Sequence, residues 1–256
     1  MRIGKFGFLN NFLPYFYLEH CVHIGESNVR LVEASPRRMV EMLERGEVDF
    51  APAPSFYYIS KKEHLRSYDF CISSRADNRG RIFSVIIVSK KMKVDDGDIA
   101  VSSQSITSVN LLRIILRERD MKNKIIHVDG ISAHDLLKKC PYALIIGDEA
   151  LKARRKFNVV MDLGEEWYEL TGYPMVFGIS LSLFHKNMEE ANRKIMESLS
   201  FGMQNIDNVV EEAARISGLP GEFLKTYFLA ISYKMGTEER KGLEVFEEKC
   251  MEHRLV

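Results

Sequence analysis

Residues 81–89 and 175–184 are the two longest apolar strand patterns in the chain, and a self-contained βαβαβ stretch lies between them. Both are more apolar than the other strand patterns of the chain. A chain that enters an α/β insert on one long strand and leaves it on another predicts two lobes joined by two crossings, with a ligand cleft between them. The expected division is a discontinuous first lobe, residues 1–89 plus 176–256, and a second lobe, residues 90–175.

The rest of the chain alternates in the same way. Strand patterns at 28–34, 48–51, 68–73, 98–102, 124–128, 142–147 and 159–161 are interleaved with helix patterns at 36–45, 109–119, 133–139, from 148, and at 162–170. Beyond 184 the pattern is helical, at 188–204, 207–217, 222–231 and 237–253. Ser35 before Pro36 is a helix start and Gly46 a stop, while Pro52-Ala53-Pro54 predicts a turn. Asp148 is the expected N-cap of the helix that follows Gly147. Short parallel-type strands between amphipathic helices give an α/β fold class.

Composition narrows the function by exclusion. Thirty-six basic and thirty-six acidic side chains cancel, so no basic field reaches for nucleic acid. No stretch is long and apolar enough to cross a membrane as a helix, and no charged segment followed by an apolar run opens the chain. Cys21, Cys71, Cys140 and Cys250 show no metal or redox spacing and read as reduced thiols of a cytoplasmic protein. The histidines have no metal-ligand spacing, and no glycine-rich phosphate loop is present. Neither a metal nor a cofactor is expected.

The candidate site residues are hydroxyls and amides at strand ends. Residues 102–108 read Ser-Ser-Gln-Ser-Ile-Thr-Ser between a strand and a helix, where unpaired N–H groups and the helix dipole favour an anion. Ser105, Thr107 and Ser108 either bind a carboxylate or, for Ser105 and Thr107, simply cap the helix. Asn10 and Asn11 follow the first strand and either face a ligand or build a turn. Ser84 is a lone hydroxyl in an apolar run, so it needs a partner that either a ligand or the backbone supplies. Gly172-Tyr173-Pro174 reads as a turn, with Tyr173 a candidate for the cleft wall.

In their order and spacing, several of these segments resemble the chorismate dehydratase family of menaquinone biosynthesis by the futalosine route. The matching residues are Arg2-Ile3-Gly4, Leu9-Asn10, Gly46 to Pro52, Gly80 with Ser84-Val85, Ser105 with Thr107 to Val109, Ile146 to Leu151, and Asp162-Leu163-Gly164 through Trp167, Leu170-Thr171-Gly172 and Pro174. The resemblance implies a two-lobed periplasmic-binding-protein-like fold used as an enzyme. It implies cofactor-free loss of water from chorismate, a small dicarboxylate, to give 3-[(1-carboxyvinyl)oxy]benzoate. It also places the family's catalytic asparagine at Asn10 or Asn11 and its catalytic serine at Ser84. Asn10 keeps the spacing from the Arg-Ile-Gly start and Asn11 the spacing to Pro14, so both stay candidates. Arg81-Ile82-Phe83 stands where the family has a proline-containing run. The rival readings are the enzyme of the same route that cleaves a cyclic dehypoxanthine futalosine, and a solute-binding protein for a small carboxylate.

Overall fold

A computed structural model describes residues 1–20, 28–92, 95–102 and 106–256, and the chain divides into two units. Unit 1 comprises Met1–Ser73 with Val176–Gly236, and unit 2 comprises Ser74–Met175 with Thr237–Val256.

In unit 1 the strand Arg2–Phe6 pairs in parallel with Arg30–Ala34. A second, antiparallel sheet runs in the order Ser232–Lys234, Leu65–Ser73, Val176–Leu183, Ala51–Pro54. The long apolar strand expected at 175–184 is present as Val176–Leu183 and is an inner strand of this sheet. Pro52 and Pro54 do not form the expected turn. They lie in an edge strand, where a residue without an N–H is tolerated, and the helix Ser55–Lys61 starts immediately after Pro54. Ser35 caps Pro36–Glu44 through Arg38 N–H, and Gly46 takes the left-handed conformation beyond it.

The start of the first strand is pinned by charge. Asp49 accepts from Arg2 N (2.8 Å) and Arg2 Nη2 (2.8 Å), and Lys186 Nζ reaches the same carboxylate at 2.6 Å. The Arg2 guanidinium first, and Lys186 beside it, hold the Asp49 carboxyl far below the usual carboxylate range against the opposing effect of burial. A depressed folded pKa adds stability that is complete above the unfolded value, about 4, and lost as pH falls toward the folded one. Urea titrations should show the stability advantage of the unmodified protein over Asp49→Asn shrinking as pH drops below about 4. A difference that stays constant down to pH 2 would show that this network does not couple to folding.

Unit 2 is built on a five-stranded sheet in the order Ile125–Val128, Ile99–Ser102, Tyr142–Ile146, Val85–Ser89, Asn158–Asp162. The first three strands are parallel, and Val85–Ser89 runs antiparallel to both neighbours. The expected run at 81–89 is thus shorter, because Arg79, Gly80 and Phe83 all have positive φ and break the strand before Val85. It also belongs to unit 2 and not to the expected first lobe, since both its pairing partners lie there.

The terminal helix Thr237–Glu252 is a second correction to that division. Phe246 meets Trp167 edge to face at 5.8 Å, both rings fully buried, and Lys249 pairs with Glu118 at 3.0 Å. This tail completes unit 2, so the chain passes between units three times, at 73/74, 175/176 and 236/237. Asp148 is not a cap: its helix Gly147–Ala153 begins one residue earlier, with Ile146 in the cap position and Asp148 in the first turn.

Candidate active site

Asn10 and Asn11 sit in a single 3-10 turn, Leu9–Asn11, that carries the chain from the first strand into the helix Phe12–His20. Asn11 is 1 % exposed, whereas Asn10 is half-buried. Asn11 Nδ2 donates to Asn10 Oδ1 at 2.7 Å, which sets the orientation of the amide. Its Oδ1 then has no hydrogen-bond partner among the described residues although it is fully buried. An unmet buried acceptor costs about 1–3 kcal/mol, and a ligand donor would relieve that cost. Sequence spacing leaves the two asparagines equal; burial separates them.

In unit 2 the register of the sheet gathers several of the expected residues. Val85 pairs with Ile146 and Ile86 with Asp162, so Ser84, Gly147 and Asp162 lie at one end of the sheet. Val101 pairs with Leu144, which brings Ser102 to the same end. The helix Ile106–Glu118 starts from there, with Thr107 and Ser108 buried in its first turn. This is the carboxyl end of the parallel strands, the place where open α/β sheets take ligands. Ser105 lies outside the described residues. Tyr173 is not gathered with the others. It follows Leu163–Thr171 in a turn, with its N–H on Thr171 Oγ1 at 3.2 Å, about 14 Å of helix away from Asp162.

Ser84 is held in an uncommon way. Ser84 N donates to Ile82 O at 2.8 Å across Phe83, whose φ is +66°. A two-residue hydrogen bond around a positive φ is the strained form of the γ-turn, and for a residue with a side chain such a conformation costs about 1–3 kcal/mol. Ser84 O accepts from Gly147 N at 2.8 Å. The side chain itself is poorly satisfied among the described residues: Ser84 is 4 % exposed, and there its Oγ reaches only Ile82 O, at 3.5 Å. That distance is at the limit of a hydrogen bond.

The turn lies directly on the first turn of the helix Leu163–Thr171. A Cβ on Gly80 would stand 2.3 Å from Gly164 O, and one on Gly164 would stand 2.2 Å from Gly80 O, so only glycine permits this approach. Arg81 and Glu165 close the contact at 2.9 Å. Asp162, 8 % exposed, caps the helix through Gly164 N and Glu165 N and also accepts from Ile82 N and Phe83 N. Burial pushes its carboxyl up from the ordinary range while the four N–H donors pull it the other way. Asp162 is not among the candidate site residues that the sequence marks. The available signal was Asp followed three residues later by Glu at the head of an apolar helix.

Comparison with known proteins bears on the family and the fold. Residues 1–252 match the family described as menaquinone biosynthesis. The chain belongs to that family. Within it, the chain is 26 % identical over 238 residues to the chorismate dehydratase of Thermus thermophilus, with 86 % of each chain covered. Among solved structures, it resembles a protein from Archaeoglobus fulgidus with a TM-score of 0.79, at 17 % identity over 100 % of this chain and 98 % of that one. It also resembles the periplasmic aliphatic sulphonate-binding protein of Escherichia coli, with a TM-score of 0.70 at 17 % identity, covering 100 % and 88 %. The family member thus has the periplasmic-binding-protein fold, in keeping with its α/β class. Among the described residues no helix is long and apolar enough to cross a membrane.

Proposed function

We propose that this menaquinone-biosynthesis family member is a chorismate dehydratase. It removes water from chorismate to form 3-[(1-carboxyvinyl)oxy]benzoate, as a hydro-lyase that needs no added cofactor. The observation that carries the reading is Ser84: a buried hydroxyl with one marginal hydrogen bond among the described residues, held on a strained turn at the carboxyl end of the unit 2 sheet. Similarity to the Thermus thermophilus chorismate dehydratase supports chorismate as the substrate.

The chemistry suits polar groups of this kind. A ring C–H gives up its proton, its electron pair becomes a ring double bond, and the allylic C–O bond breaks with the hydroxyl leaving as water. Aromatisation drives the step, so the protein has to orient two carboxylates and assist a departing hydroxyl. In this reading Ser84 Oγ–H donates to that hydroxyl. Asn11 Oδ1, an acceptor, takes a hydrogen bond from a substrate donor, and the hydroxyl of chorismate is one. Thr107, Ser108 and the first-turn N–H groups of Ile106–Glu118 hold a carboxylate, with Ser105 assigned to the same task from sequence alone. The substrate's enolpyruvyl carboxylate is the candidate proton acceptor. The buried thiols of Cys140 and Cys250, in no disulfide among the described residues, support a cytoplasmic setting.

Purified protein mixed with chorismate, without added metal or nucleotide, should yield the substituted benzoate, followed by its aromatic absorbance and by mass. Chorismate recovered unchanged at stoichiometric protein would overturn the assignment. Saturable chorismate binding without turnover would instead identify a solute-binding member of the fold.

A further inference from the structure

We infer that Asp162 is a positioning residue for Ser84 and acts through the turn at Phe83. The inference rests on the reading that Ser84 meets the substrate.

The two oxygens of Asp162 divide their work. Oδ1 accepts from Gly164 N at 3.1 Å, Glu165 N at 3.3 Å and Ile82 N at 3.2 Å. Among the described residues Oδ2 accepts from Phe83 N alone, at 2.8 Å, the shortest of the four. Capping the helix uses one oxygen; the other is committed to the residue with positive φ next to Ser84. The far side of Phe83 is held as well, because Arg154 Nη1 donates to Phe83 O at 3.3 Å and the guanidinium stands 4.7 Å from the ring centroid. With its N–H bound to Asp162 and its carbonyl to Arg154, Phe83 cannot relax toward negative φ, and Ser84 is presented in one orientation.

Asp162→Asn isolates this role. Its carbonyl oxygen can keep the three donors of Oδ1, but its NH2 then faces Phe83 N–H, donor against donor. We expect kcat for chorismate to fall roughly 10²-fold, as for a misplaced catalytic group, with KM nearly unchanged. In a Ser84→Ala background the same change should alter kcat less than about twofold, because the two residues act as one unit. Hydrogen exchange should rise across residues 81–85 while residues 163–171 stay protected. Should Asp162→Asn fail to fold, Asp162→Ser keeps a capping oxygen without a second one for Phe83, and the same results are expected.

Wild-type kcat in the folded variant, or an equal loss with and without Ser84, would overturn the positioning role while leaving Ser84 in place. Full turnover by Ser84→Ala alone would instead remove Ser84 from the mechanism, and the role of Asp162 with it.

Discussion

Ser84→Ala should lower kcat on chorismate by roughly 10²–10³-fold, the usual effect of deleting one hydrogen-bond donor aimed at developing charge. The same variant should unfold within a few degrees of the unmodified protein. The reason is local: among the described residues the Ser84 hydroxyl makes a single 3.5 Å contact, with Ile82 O, so its loss forfeits less than about 1 kcal/mol of folding free energy. The backbone bonds that shape the turn, Ser84 N to Ile82 O and Gly147 N to Ser84 O, do not involve the side chain and survive. Steady-state kinetics beside a thermal melt decides the matter. Activity and melting temperature falling together would mark Ser84 as structural, and intact activity would exclude it from catalysis.

Asn11→Leu should also separate function from stability. Leucine shares the branched outline of asparagine but is bulkier; it removes the buried Oδ1 that has no partner among the described residues, whose cost is about 1–3 kcal/mol, at the loss of one side-chain bond to Asn10 worth about 0.5–1.5 kcal/mol. Overpacking of about 1–3 kcal/mol opposes that relief, so the melting temperature is expected to stay nearly level. If Oδ1 receives a hydrogen bond from the substrate, kcat/KM should meanwhile drop roughly 10–100-fold. An equally stable protein with full activity would show that Asn11 only packs. Asn10→Leu, at the half-buried neighbour, should cost less in turnover and serves as the comparison.

Much of the fold is legible in the residues because it rests on local signals. The Ser35-Pro36 start, the Gly46 stop and the helix that ends at Gly172 all follow from caps and positive-φ glycines. What escaped was set at long range. Ile82-Phe83-Ser84 has the β-branched and aromatic character of a strand, yet Asp162, some eighty residues later, captures its N–H groups and bends it into a turn. Pro52 and Pro54 read as a turn because no local rule says which strand will lie at an edge. The terminal helix has an amphipathic pattern that fits either unit, and only Trp167 and Glu118 reveal where it packs. For the site, the sequence marks residue types at strand ends, whereas the orphaned oxygen of Asn11 exists only once the chain has folded around it.

The three passages of the chain between units bear on how a nascent polypeptide acquires this structure. Unit 1 lacks the strands Val176–Leu183 and Ser232–Lys234 until translation has passed residue 234, and unit 2 lacks the helix bearing Phe246 until it has passed residue 252. The usual vectorial order, in which an N-terminal domain finishes before the next one emerges, is closed to this topology. Both units must wait, each with an open apolar face, and both reach completion within the same short interval of synthesis. A pause or truncation near residue 230 would therefore leave not one folded half and one unfolded half, but two unfinished ones.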